Sequence, residues 1–260
     1  MGRFLRIWRQ VFVSSIQARF EYRMDVVLRI LGACLVQLSA LSFLWIVIHQ
    51  AGDINGWPIG QVLLLMGLVG MGQGLSELFF DNVWRLPMYI VRGDLDRLLI
   101  YPVRTLPFLM ISFPEIHSIG NFGMGAAYAI TALVVNHAGL SAWLMVPVWA
   151  VSACLVYTSV LLAAATISFS AVGPGDYLYS FYHLFHANRY PLSAYPRVMQ
   201  LIFLFVVPFG TCIFVPSELV TGRITGWWWG LVPLLVAGAA MFAATAAWKF
   251  GLRRYESAGA

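Results

Sequence analysis

Residues 116–175 read IHSIGNFGMGAAYAITALVVNHAGLSAWLMVPVWAVSACLVYTSVLLAAATISFSAVGPG, and no Asp, Glu, Lys or Arg stands between Glu115 and Asp176. A helix needs about 20 apolar residues to cross roughly 30 Å of hydrocarbon. This one stretch therefore holds two membrane spans. The polar turn Asn136-His137-Ala138-Gly139-Leu140-Ser141 divides them. The runs are continuously apolar and do not alternate, which favours helices over a barrel.

Working outward, four more uncharged runs flank this pair. The spans are expected at about 27–50, 57–79, 114–136, 142–169, 198–217 and 227–250. The fold class is all-α integral membrane, a single transmembrane domain over residues 1–260. Composition agrees: 60% of residues are hydrophobic and 10% charged, where soluble domains carry roughly a quarter charged residues. A chain of this size cannot bury so much apolar surface in water. The cysteines, Cys34, Cys154 and Cys212, lie in apolar runs and are read as packing residues with no disulfide framework.

Orientation follows from the arginines. Of 16 Lys and Arg residues, only Arg223 falls in the segments that alternate to the outside. The rest cluster at Arg3–Arg29, Arg85–Arg104, Arg189 and Arg197, and Lys249–Arg254. By the positive-inside rule both termini are cytoplasmic. The net charge of +5 is thus an orientation signal, and no nucleic-acid partner is expected. No small-residue cleavage site marks a signal peptide.

Residues 1–25 are expected to form an amphipathic interfacial helix touching membrane lipids. Arg3, Arg6, Arg9, Gln10, Ser14, Gln17 and Glu21 share one arc, and Phe4, Leu5, Trp8, Val11, Phe12 and Ile16 the opposite one. Residues 80–107 form the longest charged cytoplasmic segment. Within it, in Arg92-Gly93-Asp94-Leu95-Asp96-Arg97-Leu98-Leu99-Ile100, Gly93 breaks the chain, Asp94 can cap a new short helix and Pro102 stops it. Mixed charge beside a Leu-Leu-Ile stripe suits docking into a groove on another protein. In residues 176–197, His183 and His186 lack an evident third metal ligand and are read as packing residues, with no metal site. On the outer side Pro208 and Pro216 interrupt the fifth run, and Trp227-Trp228-Trp229 fit an aromatic belt. A re-entrant excursion between spans five and six is expected.

Catalytic machinery is not evident. A phosphate-binding Gly-x-x-x-x-Gly-Lys-Ser/Thr loop needs a lysine, and the only lysine, Lys249, precedes Phe250. Glu77, Asp81 and Glu115 sit near cytoplasmic span ends, whereas a proton-coupled carrier more often places a carboxylate mid-span. Glu115, beside Pro114 and His117, comes nearest to that description and is assigned a structural role. A membrane-embedded enzyme would need a constellation within the spans, and none is found.

The chain resembles the membrane subunit of ABC-2-type ATP-binding-cassette transporters, in the branch of short, six-span permeases. The resemblance runs from Phe20-Glu21-Tyr22-Arg23-Met24-Asp25, through Arg92–Leu99 and Pro102, to Arg189-Tyr190-Pro191-Leu192-Ser193-Ala194-Tyr195-Pro196. It continues with Val207-Pro208-Phe209 and ends in Gly251–Gly259. What it implies is a half-transporter of the bacterial cytoplasmic (inner) membrane, paired with a second copy or a sister permease and served by separate ABC ATPase subunits. Arg92, Gly93, Asp94, Leu95, Asp96, Arg97 and Leu98 would form the coupling helix. Arg6, Trp8 and Arg9 would belong to a connecting helix beside it, and the pieces after Pro208 to outer re-entrant helices. ATP and magnesium would bind the partner ATPase, leaving no cofactor and no catalytic residue here. The cargo expected from the resemblance is amphipathic or lipid-like, and exported. The competing reading is a secondary carrier or channel without an ATPase.

Overall fold

The structure is a computed structural model that describes residues 9–17, 21, 23–51, 56–170 and 175–255. Among them the chain is helical throughout, with no β-strand. A short helix α1 (9–17) precedes α2 (Arg23–Ala51) and α3 (Ile59–Phe80). A 3₁₀ turn, Asp81–Arg85, leads into the short helices α4 (Leu86–Val91), α5 (Asp94–Ile100) and α6 (Thr105–Ile111). Then come α7 (Ser118–Val135), α8 (Leu140–Ala165) and α9 (Leu178–Ala187). α10 (Arg197–Leu201) continues as a π-helical turn, Ile202–Val206, before α11 (Phe209–Val220) and α12 (Val232–Leu252).

Five helical stretches are long and apolar enough to cross a membrane: Arg23–Gln50, Ile59–Val91, Ser118–Val135, Leu140–Phe169 and Trp227–Leu252. A sixth exists only if Arg197–Val206 and Phe209–Val220 are counted together, and these two pieces meet at 100°. Residues 198–217 thus run as two pieces and not as one straight helix, divided where Pro208 interrupts the fifth apolar run. Pro208 has no N–H to give the helical ladder, and Val207 leaves helical dihedrals at φ −122°, ψ 82°.

α3 is the centre of the bundle, with α7 on one side and α8 on the other. α2 leans on α7, α12 on α8, and α11 closes against α8, α12 and α3. The α3–α7 seam is built from small residues, as membrane helices need for close backbone approach. A Cβ added at Gly125 would lie 2.5 Å from the Met71 nitrogen, and one at Gly67 2.7 Å from the Ala129 nitrogen. On the other face of α3, a Cβ at Gly72 would collide with Ala153 of α8, and Ser76 meets Thr158 at 2.7 Å. α2 buries Gln37 and Leu44 but leaves Leu28, Leu31, Leu35, Phe43 and Trp45 exposed. Such a helix is suited to lipid or another chain, not to water.

The two ends of the bundle differ. At one, the α7–α8 turn is closed by Asn136 Nδ2 donating to Ala132 O at 2.7 Å, with His137 at φ 49°. At that same end Arg223 donates to Gly56 O at 2.9 Å and lies over the Trp57 ring, and Trp149 Nε1 donates to Gly230 O. At the opposite end Phe12 of α1 stacks on Phe79, and Trp84 packs on Tyr179 and Tyr182. There too Phe169 meets Trp248 and Tyr255. α1 and the last turn of α12 thus lie at the same end, together with α4–α6 and α9.

Candidate functional site

Two features occupy that end: an outward-facing short helix, and a buried polar cluster opening into a cavity. The helix is α5. Gly93 stands immediately before it at φ 73°, a left-handed conformation that glycine adopts without strain. Asp94 is the first helical residue and Gly93 itself holds the cap position, so glycine turns the chain where an aspartate cap was expected. The helix stops at Ile100, and Tyr101, preceding Pro102, is extended as the residue before a proline prefers to be. Leu95 is fully buried and holds α5 onto the body. Arg92 and Arg97 are exposed, as are Met88, Val91, Leu99, Tyr101 and above all Ile100, at 82%. A large aliphatic side chain so exposed, rimmed by arginines, marks a surface built to meet something other than water. Of the expected connecting-helix residues, Arg9 is exposed on α1, whereas Arg6 and Trp8 lie outside the described residues. α1 is held by its other face, where Ser15 Oγ donates to Ser112 O at 3.3 Å.

The polar cluster begins where α3 ends. Gln73 Nε2 donates to Glu77 Oε1 at 2.6 Å, one helical turn apart. Asn121 of α7 donates to Glu77 Oε2 at 3.0 Å, and its own Oδ1 accepts from Gln37 of α2 at 3.1 Å. His117 Nε2 lies 3.9 Å from Glu77 Oε2, and its Nδ1 3.2 Å from Glu115 Oε2. Arg85 reaches Glu115 at 4.0 Å and covers the Phe113 ring. The carboxylates of Glu77 and Glu115, far apart in sequence, thus converge through His117 and pin three helices together. Glu115 N also donates to Glu77 O at 3.2 Å.

α9 caps this cluster. Phe185 is driven into the bundle between Tyr157 and Phe209, which turns Tyr182, His186 and Arg189 towards a cavity of about 280 Å³. The facing wall is Ala33, Val36 and Gln37 of α2, with Gln73 and Glu77 of α3 behind. His186 packs edge-on against Tyr182, ring centroids 4.2 Å apart, and both its ring nitrogens are buried without a hydrogen-bond partner. Burial first, then the neighbouring Arg189 and His183 charges, hold it well below the usual imidazole range, so it is neutral. Arg189 is 9% exposed, its Nε has no partner, and burial lowers its proton affinity from the ordinary guanidinium value. Among the described residues no group of three His, Cys, Asp or Glu side chains is arranged to hold a metal ion, and His183 and His186 sit among aromatic rings.

The sequence shows Gln37, Gln73, Glu77 and Glu115 as sparse polar residues in apolar runs, and the four-residue step from Gln73 to Glu77 is legible as one helix face. Asn121, which joins them, comes from α7, and Tyr182 and Arg189, which face them, come from α9 and the turn after it, so no local pattern records the meeting.

An apolar helical bundle with a polar, arginine-rich end calls for comparison with known transporters. The family described as ABC-2 family transporter protein matches residues 35–259. The chain belongs to the ABC-2 transporter family. No curated protein and no solved structure matches it. As an ABC-2 permease it is a multi-pass membrane transport subunit, not itself catalytic, and ATP hydrolysis belongs to a separate subunit. Permeases of this family normally work with ABC ATPases.

Proposed function

We propose that this permease is one membrane half of an ATP-driven exporter of amphipathic or lipid-like molecules in the bacterial cytoplasmic membrane. Arg92–Leu98 on and before α5 forms its coupling element, and both termini are cytoplasmic. It pairs with a second copy or a sister permease, and ATP with magnesium is bound by the partner ATPase. The outward-facing apolar tip of α5 carries this reading. It is displaced from the bundle by the Gly93 turn, anchored by Leu95, and set in the arginine-rich end of the chain. A rigid helix so mounted converts a partner's displacement into movement of α3, with which α4 and the 81–85 turn are continuous. The broken helix at Val207-Pro208 supports a re-entrant role for α11 on the outer side, where Arg223 ties its end to Gly56.

The test is co-purification of the tagged chain from mild detergent, with mass-spectrometric identification of any subunit carrying a Walker motif. The native chain is expected to bring down an ABC ATPase. A variant with Arg97→Ala, Leu99→Asp and Ile100→Asp is expected to lose it while keeping the native melting temperature. Absence of an ATPase from an intact preparation would instead favour a carrier or channel that works alone.

A further inference from the structure

We propose that the cavity between α2 and α9 binds the anionic head of an amphiphile, a phosphate or carboxylate carried on an apolar tail, with Arg189 as its charge partner. This names a substrate class for the permease and rests on that reading.

Three observations converge on an anion. Arg189 is 9% exposed, lines the cavity, and has no ion pair to an acidic side chain among the described residues. A guanidinium buried in this way is normally matched by a carboxylate or a phosphate. Beside it, the neutral His186 ring also lines the cavity and neither of its buried nitrogens has a partner, so a small rotation of the ring would bring one N–H to an incoming oxygen. The acid already in the cavity is satisfied: Glu77 receives the amides of Gln73 and Asn121 and faces His117. Arg29, at the rim, is matched by Asp25 at 2.8 Å. Among the described residues that line the cavity, the hydrogen-bond acceptors of Glu77 are filled, while Arg189 is a cation with no acidic partner.

The tail follows from where the cavity opens. Val36 lines it and is 60% exposed, on a helix whose surface continues in exposed Leu28, Leu31 and Leu35. The volume, about 280 Å³, exceeds by several times the roughly 30 Å³ that a water molecule occupies. It accommodates a head group and the first few methylenes but not a whole lipid, so the rest of the chain would lie along α2. Charge inside and hydrocarbon at the mouth select an amphiphile over a free ion.

The test uses the full chain purified in a neutral detergent, with binding followed by native mass spectrometry. Dodecyl phosphate, dodecanol and inorganic phosphate are the probes. Dodecyl phosphate is expected to bind saturably, one per chain, and the other two at least tenfold more weakly. Arg189→Gln is expected to weaken dodecyl phosphate tenfold or more, Arg189→Lys much less, and Arg197→Gln, on an exposed residue outside the cavity, not at all. Should Arg189→Gln fail to fold, Val36→Trp blocks the mouth without touching the buried charge and is expected to weaken binding at least fivefold. Equal binding of dodecanol, or unchanged binding in both Arg189→Gln and Val36→Trp, would overturn the site. Equal binding of inorganic phosphate would overturn the amphiphile. ATPase co-purification is scored on the same preparations, so a chain that recruits its ATPase but ignores dodecyl phosphate defeats this inference and leaves the permease reading standing.

Discussion

Glu77 ends an apolar helix with a carboxylate that is only 8% exposed, and two amide donors from different helices depend on it. Removing an acceptor from buried donors costs about 1–3 kcal/mol. Glu77→Ala is therefore expected to lower the melting temperature in neutral detergent, and Glu77→Gln, which keeps one acceptor oxygen, to lower it less. His186 makes a second prediction. Its folded-state pKa lies well below the ordinary imidazole value of 6.5. As pH falls below about 6.5 the unfolded chain takes up a proton that the folded one refuses, so stability is lost on acidification. A series of melting curves from pH 7.5 to 5.5 should show a shallower acid slope for His186→Asn than for the native chain. These residues were only half legible in the sequence. A carboxylate at a span end is conspicuous in an apolar run, but its pairing with Asn121 depends on how α7 lies against α3, and no local pattern records that.

The helices themselves were far easier to read, because twenty uncharged apolar residues have few alternatives in lipid. The contact between two of them was not. The α3–α7 seam depends on glycine at Gly67 and Gly125, where any Cβ would run into the neighbouring backbone. Gly125→Val is expected to cost about 1–3 kcal/mol through overpacking. Gly123→Ala, two residues away with nothing within 4 Å of its Cβ, should be neutral or stabilising by up to about 1 kcal/mol. Melting curves of the pair check this directly, since equal effects would refute the packing. The fifth run shows the opposite limit. Hydropathy joins 198–217 into one span, while Pro208 and the non-helical Val207 divide it at 100°. Composition measures whether a stretch suits lipid; it does not measure direction. The proposed coupling element lies between these cases. Gly93 and Pro102 bracket α5 visibly in the sequence, but only the packing shows that Leu95 turns inward while Leu99 and Ile100 turn out.

At the scale of the whole molecule, α1, α4–α6, α9 and the last turn of α12 share one end of the bundle with the arginines described on them, and α5 projects there. Arg223 and the tryptophans of the 227–231 turn belong to the other end. That α1 and the last turn of α12 share an end was legible from charge alone, because alternating segments carry the arginines or lack them. The use made of the arginine-rich end was not, since it depends on a second subunit. A photo-crosslinking amino acid placed at Ile100, in cells that express the chain with its native partners, probes the coupling role proposed for α5, with Val134 at the opposite end as control. A crosslink is expected from position 100 to a polypeptide identified by its peptides as an ABC ATPase, and none from position 134. An intact, membrane-inserted chain that forms no ATPase crosslink at position 100, or forms it equally from position 134, would contradict that role.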